Sequence, residues 1–89
     1  MKLSKHSKKR MKERANIKSE AIQKNFFKNA LKYGKSLNDC EDNNLIKFIK
    51  EKTRYNCQIK VYKNWVFIYS KNAHQLYTMY ELPNELKEG

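Results

Sequence analysis

The residues best suited to chemistry lie together near the start of the chain, in Lys5-His6-Ser7-Lys8-Lys9-Arg10-Met11-Lys12-Glu13-Arg14. On a helix, His6, Arg10 and Arg14 follow one another at four-residue intervals and share one face. An imidazole can take or give a proton near neutral pH. Only three of the twenty basic residues are arginine, and two of them stand in this row. Where lysine is the default cation, a planar guanidinium with five donors points to a shaped contact with phosphate or carboxylate. The row therefore reads as an acid–base histidine beside cations that grip an anion.

The surrounding charge supports a polyanionic partner. Residues 1–35 carry twelve Lys/Arg against two Glu, whereas residues 36–89 carry eight against seven Asp/Glu, for a net +11. A uniform compositional bias toward lysine would raise both halves alike. Such a one-ended basic surface is the electrostatic footprint of nucleic-acid binding, RNA or DNA. The expected contacts are Lys5, Lys8, Lys9 and Lys12 around the histidine row, Lys24 and Lys28 on a second basic face, and Lys60, Tyr62 and Lys63 from the strand region. A membrane-surface helix would need bulky apolar residues opposite its charges, and residues 1–15 offer only Leu3, Met11 and Ala15. No membrane partner is expected.

Composition bounds the rest. Eighty-nine residues, 39% hydrophobic and 12% aromatic, fit one small domain with a modest core. Two glycines leave no Gly-rich phosphate loop. Cys40 and Cys57 are too few for a disulfide framework, and with His6 and His74 they show no paired metal-ligand spacing. They read as small buried hydrophobes, and neither metal nor cofactor is expected. No apolar run is long enough for a membrane span or a signal-peptide core, and the basic start resembles a transit peptide in composition only. A soluble cytoplasmic domain is expected.

The elements that must hold these residues are legible as α+β: about three N-terminal helices packed on a three-stranded antiparallel meander. The first helix is predicted over 4–15, with Leu3, Ser7, Met11 and Ala15 as a thin apolar edge and Asn16 as its stop. That edge predicts a helix lying across the sheet whose removal costs function more than stability. The second runs from an N-cap at Ser19 to Tyr33, with Ile22, Phe26, Phe27, Ala30 and Leu31 at core spacing and Gly34 ending it in a left-handed conformation. Ser36 with Asp39 reads as a capping box opening the third helix, whose stripe is Cys40, Leu45, Phe48 and Ile49. Asp39, Glu41 and Asp42 read as helix-start charges rather than a metal or acid–base pair. After Tyr55 the spacing changes to β alternation: strands over 58–63, 65–70 and 75–82, with breaks at 63–64 and 71–73. Leu76, Thr78, Tyr80 and Leu82 share a face in this reading. Helices on one face of the sheet would leave the other open to a phosphodiester chain. Residues 1–83 form the domain and 84–89 a frayed tail.

The opening Lys5-His6…Arg10…Glu13-Arg14 resembles the KHxxxRxxER helix of small phage and toxin-like proteins related to the RelE and barnase–EndoU–colicin ribonuclease group. The closing Ile59–Tyr62, Val66–Ser70 and Leu76–Pro83 are similar to the hairpin and hydroxyl-bearing last strand of the same proteins. The resemblance implies an RNA site between the first helix and the sheet. In it His6, Arg10 and Arg14 are the helix groups and Thr78 the strand hydroxyl of a metal-independent endoribonuclease of toxin type. Against turnover stands the lack of a second acid–base partner, since His74 falls in a turn and Tyr62, Tyr69, Tyr77 and Tyr80 suit packing or base stacking. The alternative is an anti-defence, anti-CRISPR-like or accessory protein that binds and inhibits a host ribonucleoprotein or defence complex without catalysis. Binding to RNA ranks above cleavage.

Overall fold

The computed structural model of the protein describes residues 2–53, 57–72 and 75–86. The order is β1 (Lys2–Leu3), α1 (Lys5–Arg14), α2 (Glu20–Tyr33), α3 (Asn43–Lys52), β2 (Cys57–Tyr62), β3 (Trp65–Ser70) and β4 (Gln75–Glu81), with short 3-10 turns at Leu37–Asp39 and Asn84–Leu86. The class is α+β. The sheet has four strands in the order β1-β4-β3-β2, and β1 pairs parallel to β4. The three-strand antiparallel meander expected from the sequence is thus extended to a mixed sheet. A two-residue strand has no periodicity to read, so β1, in which Leu3 lies opposite Leu76, leaves no sign in the sequence.

Both faces of the sheet are covered, which removes the open platform expected from the sequence. Trp65, Phe67 and Tyr69 of β3 pack with Phe27 and Ala30 of α2 and Met11 of α1. Val66 and Ile68 point the other way, onto Ile49 of α3, Cys40, Ile59 and Leu82. β3 is buried along five of its six residues, which is why Trp65–Ser70 reads as a continuous apolar run. Two-sided burial leaves little sheet surface for a ligand, so binding must use helix faces and strand edges.

The first helix is part of the core. Leu3 is 7% exposed and Met11 and Ser7 are fully buried. Ser7 satisfies its hydroxyl on the Ser4 carbonyl at 2.9 Å. Ser4 caps the helix by accepting the Ser7 amide at 3.1 Å. Its own amide donates to Leu76 and its hydroxyl to the Tyr77 carbonyl. α1 therefore starts beside residues 76–77 of β4 and runs along that strand, since Arg10 meets Tyr80 further on. Its Met11 joins the cluster on the α2 side of the sheet. Asn16 ends it at φ 57°, in the left-handed region that asparagine tolerates.

α2 departs from the expected pattern at both ends. Ile22 is 59% exposed, and its neighbour Gln23 is buried in its place. The Gln23 side-chain amide donates to the Ile17 carbonyl at 2.7 Å, stitching the α1–α2 loop to the helix. Gly34 is extended, at φ −71° and ψ 161°, not left-handed. Its role is close approach: a Cβ there would collide with the Ala30 carbonyl and meet the Val61 carbonyl at 3.0 Å and the Lys60 side chain at 3.2 Å. Lys35 then bridges to Val61 on the edge of β2.

Ser36 opens only the three-residue 3-10 turn, in which the Asp39 carboxylate accepts the Ser36 hydroxyl at 2.9 Å and amide at 3.3 Å. These bonds, the hydroxyl's first, hold the Asp39 carboxyl below the usual range. α3 begins later, because Asp42 is the better cap and accepts from the Asn44 and Leu45 amides. Lys63 and Asn64 close the β2–β3 hairpin with φ 49° and 68°, the signs of a type I′ turn. Tyr69 pairs with Leu76 and Ile68 with Thr78, so Tyr77 is the extra residue of a β-bulge. The bulge moves Leu76 to the α1–α2 face, and the shared face expected for Leu76, Thr78, Tyr80 and Leu82 breaks at that point. Within the stretch read as a frayed tail, Leu86 packs against the α3-side cluster. Tyr55, Ala73, His74 and residues 87–89 lie outside the described residues. Among the described residues no helix is long and apolar enough to cross a membrane.

Candidate nucleic-acid interface

α1 presents the predicted row. Its buried face is set by Ser7 and Met11, which leaves His6 and Arg14 exposed and Arg10 half-buried. Arg10 Nε donates to His6 Nε2 at 2.8 Å. That bond needs the lone pair on Nε2, so the ring carries its proton on Nδ1 in this arrangement. The nitrogen nearest the cation is engaged in positioning it.

Arg10 also lies over the Tyr80 ring, its guanidinium carbon 5.0 Å from the centroid. Lys52, in the last turn of α3, places its ammonium 5.5 Å from the same centroid and 5.8 Å from that of Phe48. All three distances fall within cation–π range, worth roughly 0.5–1 kcal/mol each at such partly exposed sites. Tyr80 thus gathers two cations from helices distant in sequence. With Nε on His6 and its guanidinium over Tyr80, Arg10 has its Nη donors left for a bidentate contact with a phosphate.

Thr78 stands two residues before Tyr80 on the same strand. Its hydroxyl is shielded from solvent and has no hydrogen-bond partner among the described residues. In this geometry it cannot touch a phosphate, so the last-strand hydroxyl is not presented as the resemblance implies. Arg14 extends the row by one turn on the exposed surface.

The lysines divide into groups. Lys8, Lys9, Lys12 and Lys18 rim a shallow depression between α1 and α2, shared with Glu13 and Glu20. Lys8 is tied to Glu20 at 2.9 Å, and its hydrogen bond and charge hold the Glu20 carboxyl below the usual range. Its own charge is therefore partly spoken for. Lys5, Lys24 and Lys28 are exposed. Lys60, Tyr62 and Lys63 belong to β2 and its hairpin, at the opposite edge of the sheet from α1. Tyr62 packs on Phe26 with ring centroids 5.7 Å apart and carries Lys63 at 5.8 Å. The fold does not bring these three to the histidine row.

No family model, curated protein or solved structure matches the chain. The chemistry of the surface rests on its own side chains. A cavity of about 600 Å³ lies between the start of α3 and the β2–β3 hairpin. Its Asp39 and Asp42 already serve helix starts, and it includes none of His6, Arg10, Arg14 or Tyr80. Cys40 is buried and Cys57 half-buried, both as free thiols. Among the described residues no three His, Cys, Asp or Glu gather as a metal site.

Sequence reasoning missed Lys52 as a site residue and took Tyr80 only for packing or stacking. Lys52 carried no signal, being one of many lysines and far from residue 10 in sequence. Tyr80 offered a weak one, as an aromatic in a strand expected beside the basic helix.

Proposed function

We infer that the protein binds RNA through the exposed side of α1 and the adjoining edge of β4. Arg10, Tyr80 and Lys52 supply the shaped contact, and the α1–α2 lysines supply the general field. The observation that carries this reading is the convergence of Arg10 and Lys52 on one tyrosine, with Arg10 oriented by His6. A diffuse basic patch needs no such arrangement, whereas a phosphate held between a fork and an ammonium does. Binding without cleavage is favoured because His6 Nε2 is occupied by Arg10 and the Thr78 hydroxyl is enclosed. The protein then works by occupying a strand, free or within a host ribonucleoprotein, in the cytoplasm.

Binding should be strongly salt-dependent, since phosphate contacts release condensed counterions. Replacing Lys8, Lys9 and Lys12 together by Gln should flatten the plot of log affinity against log salt by about 1.4, the value for two single-strand phosphate contacts. Two rather than three are expected because Lys8 is bonded to Glu20. Fluorescence anisotropy with labelled RNA measures the slope, and an unchanged slope would put this segment outside the footprint. The same RNA, recovered after incubation without divalent metal, should be intact. Products with 2′,3′-cyclic phosphate ends that vanish in His6→Ala would establish the ribonuclease instead.

A further inference from the structure

Tyr77 is the residue that the β4 bulge sets apart, with no partner across the ladder. A bulge re-aims its extra side chain. Tyr77 is 42% exposed, while Leu76 and Met79 beside it are fully buried. The other strand tyrosines are engaged: Tyr62 on Phe26, Tyr69 on Phe27, Tyr80 under Arg10 and Lys52. The Tyr77 ring has no aromatic or cationic partner among the described residues. Its backbone is nevertheless pinned, because its carbonyl accepts the Ser4 hydroxyl that starts α1. An aromatic ring is thus held out from a fixed point at the head of the basic helix.

The surroundings suit a nucleotide. Tyr77 shares a shallow depression with Ser70, Lys71 and Asn72, which adds an ammonium and polar groups to the ring. Three strand positions separate Tyr77 from Tyr80, about 10 Å at the usual rise, a length that a stretched dinucleotide covers. Base faces in a duplex are already stacked, whereas those of a single strand can be splayed onto an aromatic side chain.

We propose that Tyr77 is a stacking platform for an unpaired base, and that the ligand of the α1 surface is a single strand rather than a duplex. This rests on the RNA-binding reading above. The base lies on Tyr77, one neighbouring phosphate meets Lys71, and the strand continues along α1 to Arg10.

Anisotropy with three labelled ligands tests it: an oligouridine of about ten nucleotides, an abasic strand of the same length, and an RNA duplex. The native protein should bind the oligouridine roughly tenfold more tightly than either of the others. Tyr77→Ala should lose roughly that factor on the oligouridine and nothing on the duplex, while Tyr77→Phe keeps it. Equal binding of the abasic strand and the oligouridine by the native protein would overturn the stacking role without any variant. So would a Tyr77→Ala protein with a native melting profile and undiminished affinity for the oligouridine. In either case retained salt-dependent binding would leave the RNA-binding reading standing. Failure to bind any of the three would overturn both.

Discussion

Met11→Ala should destabilise the protein by about 3 kcal/mol, within the range found for buried methionine truncated to alanine. Met11 is fully enclosed, in the cluster formed by Leu3, Phe27, Trp65, Phe67, Leu76 and Met79. Truncation removes its transfer free energy and leaves a cavity that those neighbours, held by the sheet and α2, can only partly fill. In a domain of this size the melting temperature should fall by roughly 10–20 °C. Lys9→Ala, two residues earlier on the exposed side of the same helix, should change stability by less than about 0.5 kcal/mol. Urea unfolding followed by Trp65 fluorescence gives both values. The same burial reverses the expectation that removing residues 1–15 costs function more than stability. Their removal would delete β1, the helix covering β4, and part of the main cluster, so a truncated chain should fail to show a cooperative transition. Equal, small effects of Met11→Ala and Lys9→Ala would mean that α1 is not docked.

Arg10→Lys should weaken RNA binding about tenfold, about 1.4 kcal/mol, while Lys9→Arg should change it less than twofold. Both substitutions preserve charge, so a purely electrostatic surface would be indifferent to either. Lysine at position 10 loses the Nε bond to His6 and the guanidinium contact with the Tyr80 ring, and it offers a point charge where the fork offered two parallel donors. The salt dependence should stay nearly constant, since the number of neutralised phosphates does not change. His6→Ala should act in the same direction and more weakly, because it frees Arg10 without removing it. Affinities from anisotropy at a fixed salt concentration check the series. Loss of the same size in Arg10→Lys and Lys9→Arg would reduce the site to a basic patch.

Much of the scaffold was legible because it obeys simple periods. The span of β3 is the one read from its β-branched and aromatic residues, and Phe26, Phe27, Ala30 and Leu31 fall inward at helical spacing. The failures have local causes. A bulge at Tyr77 shifts the alternation of β4 by one, and no residue type announces it. Gly34 does end α2, but extended rather than left-handed, because the space it leaves is taken by the Val61 carbonyl and Lys60 from a strand distant in sequence. Ser36 and Asp39 do form their bonds, but the stronger cap at Asp42 starts the helix. In the candidate site, the His6–Arg10 contact was readable because it is local, four residues apart on one helix. Tyr80 and Lys52 join it only through tertiary packing of α1 and α3 on either side of β4, which spacing cannot encode.

The most direct measurement is an NMR titration of the labelled protein with a short single-stranded RNA. The Arg10 Nε–Hε resonance should shift together with the Tyr80 and Lys52 amides and follow one saturating curve. The Lys60 and Lys63 amides, at the far edge of the sheet, should stay in place. Shifts centred on Lys60–Lys63 with Arg10, Tyr80 and Lys52 unmoved, or no shifts at saturating RNA, would contradict an interface built on α1 and the edge of β4.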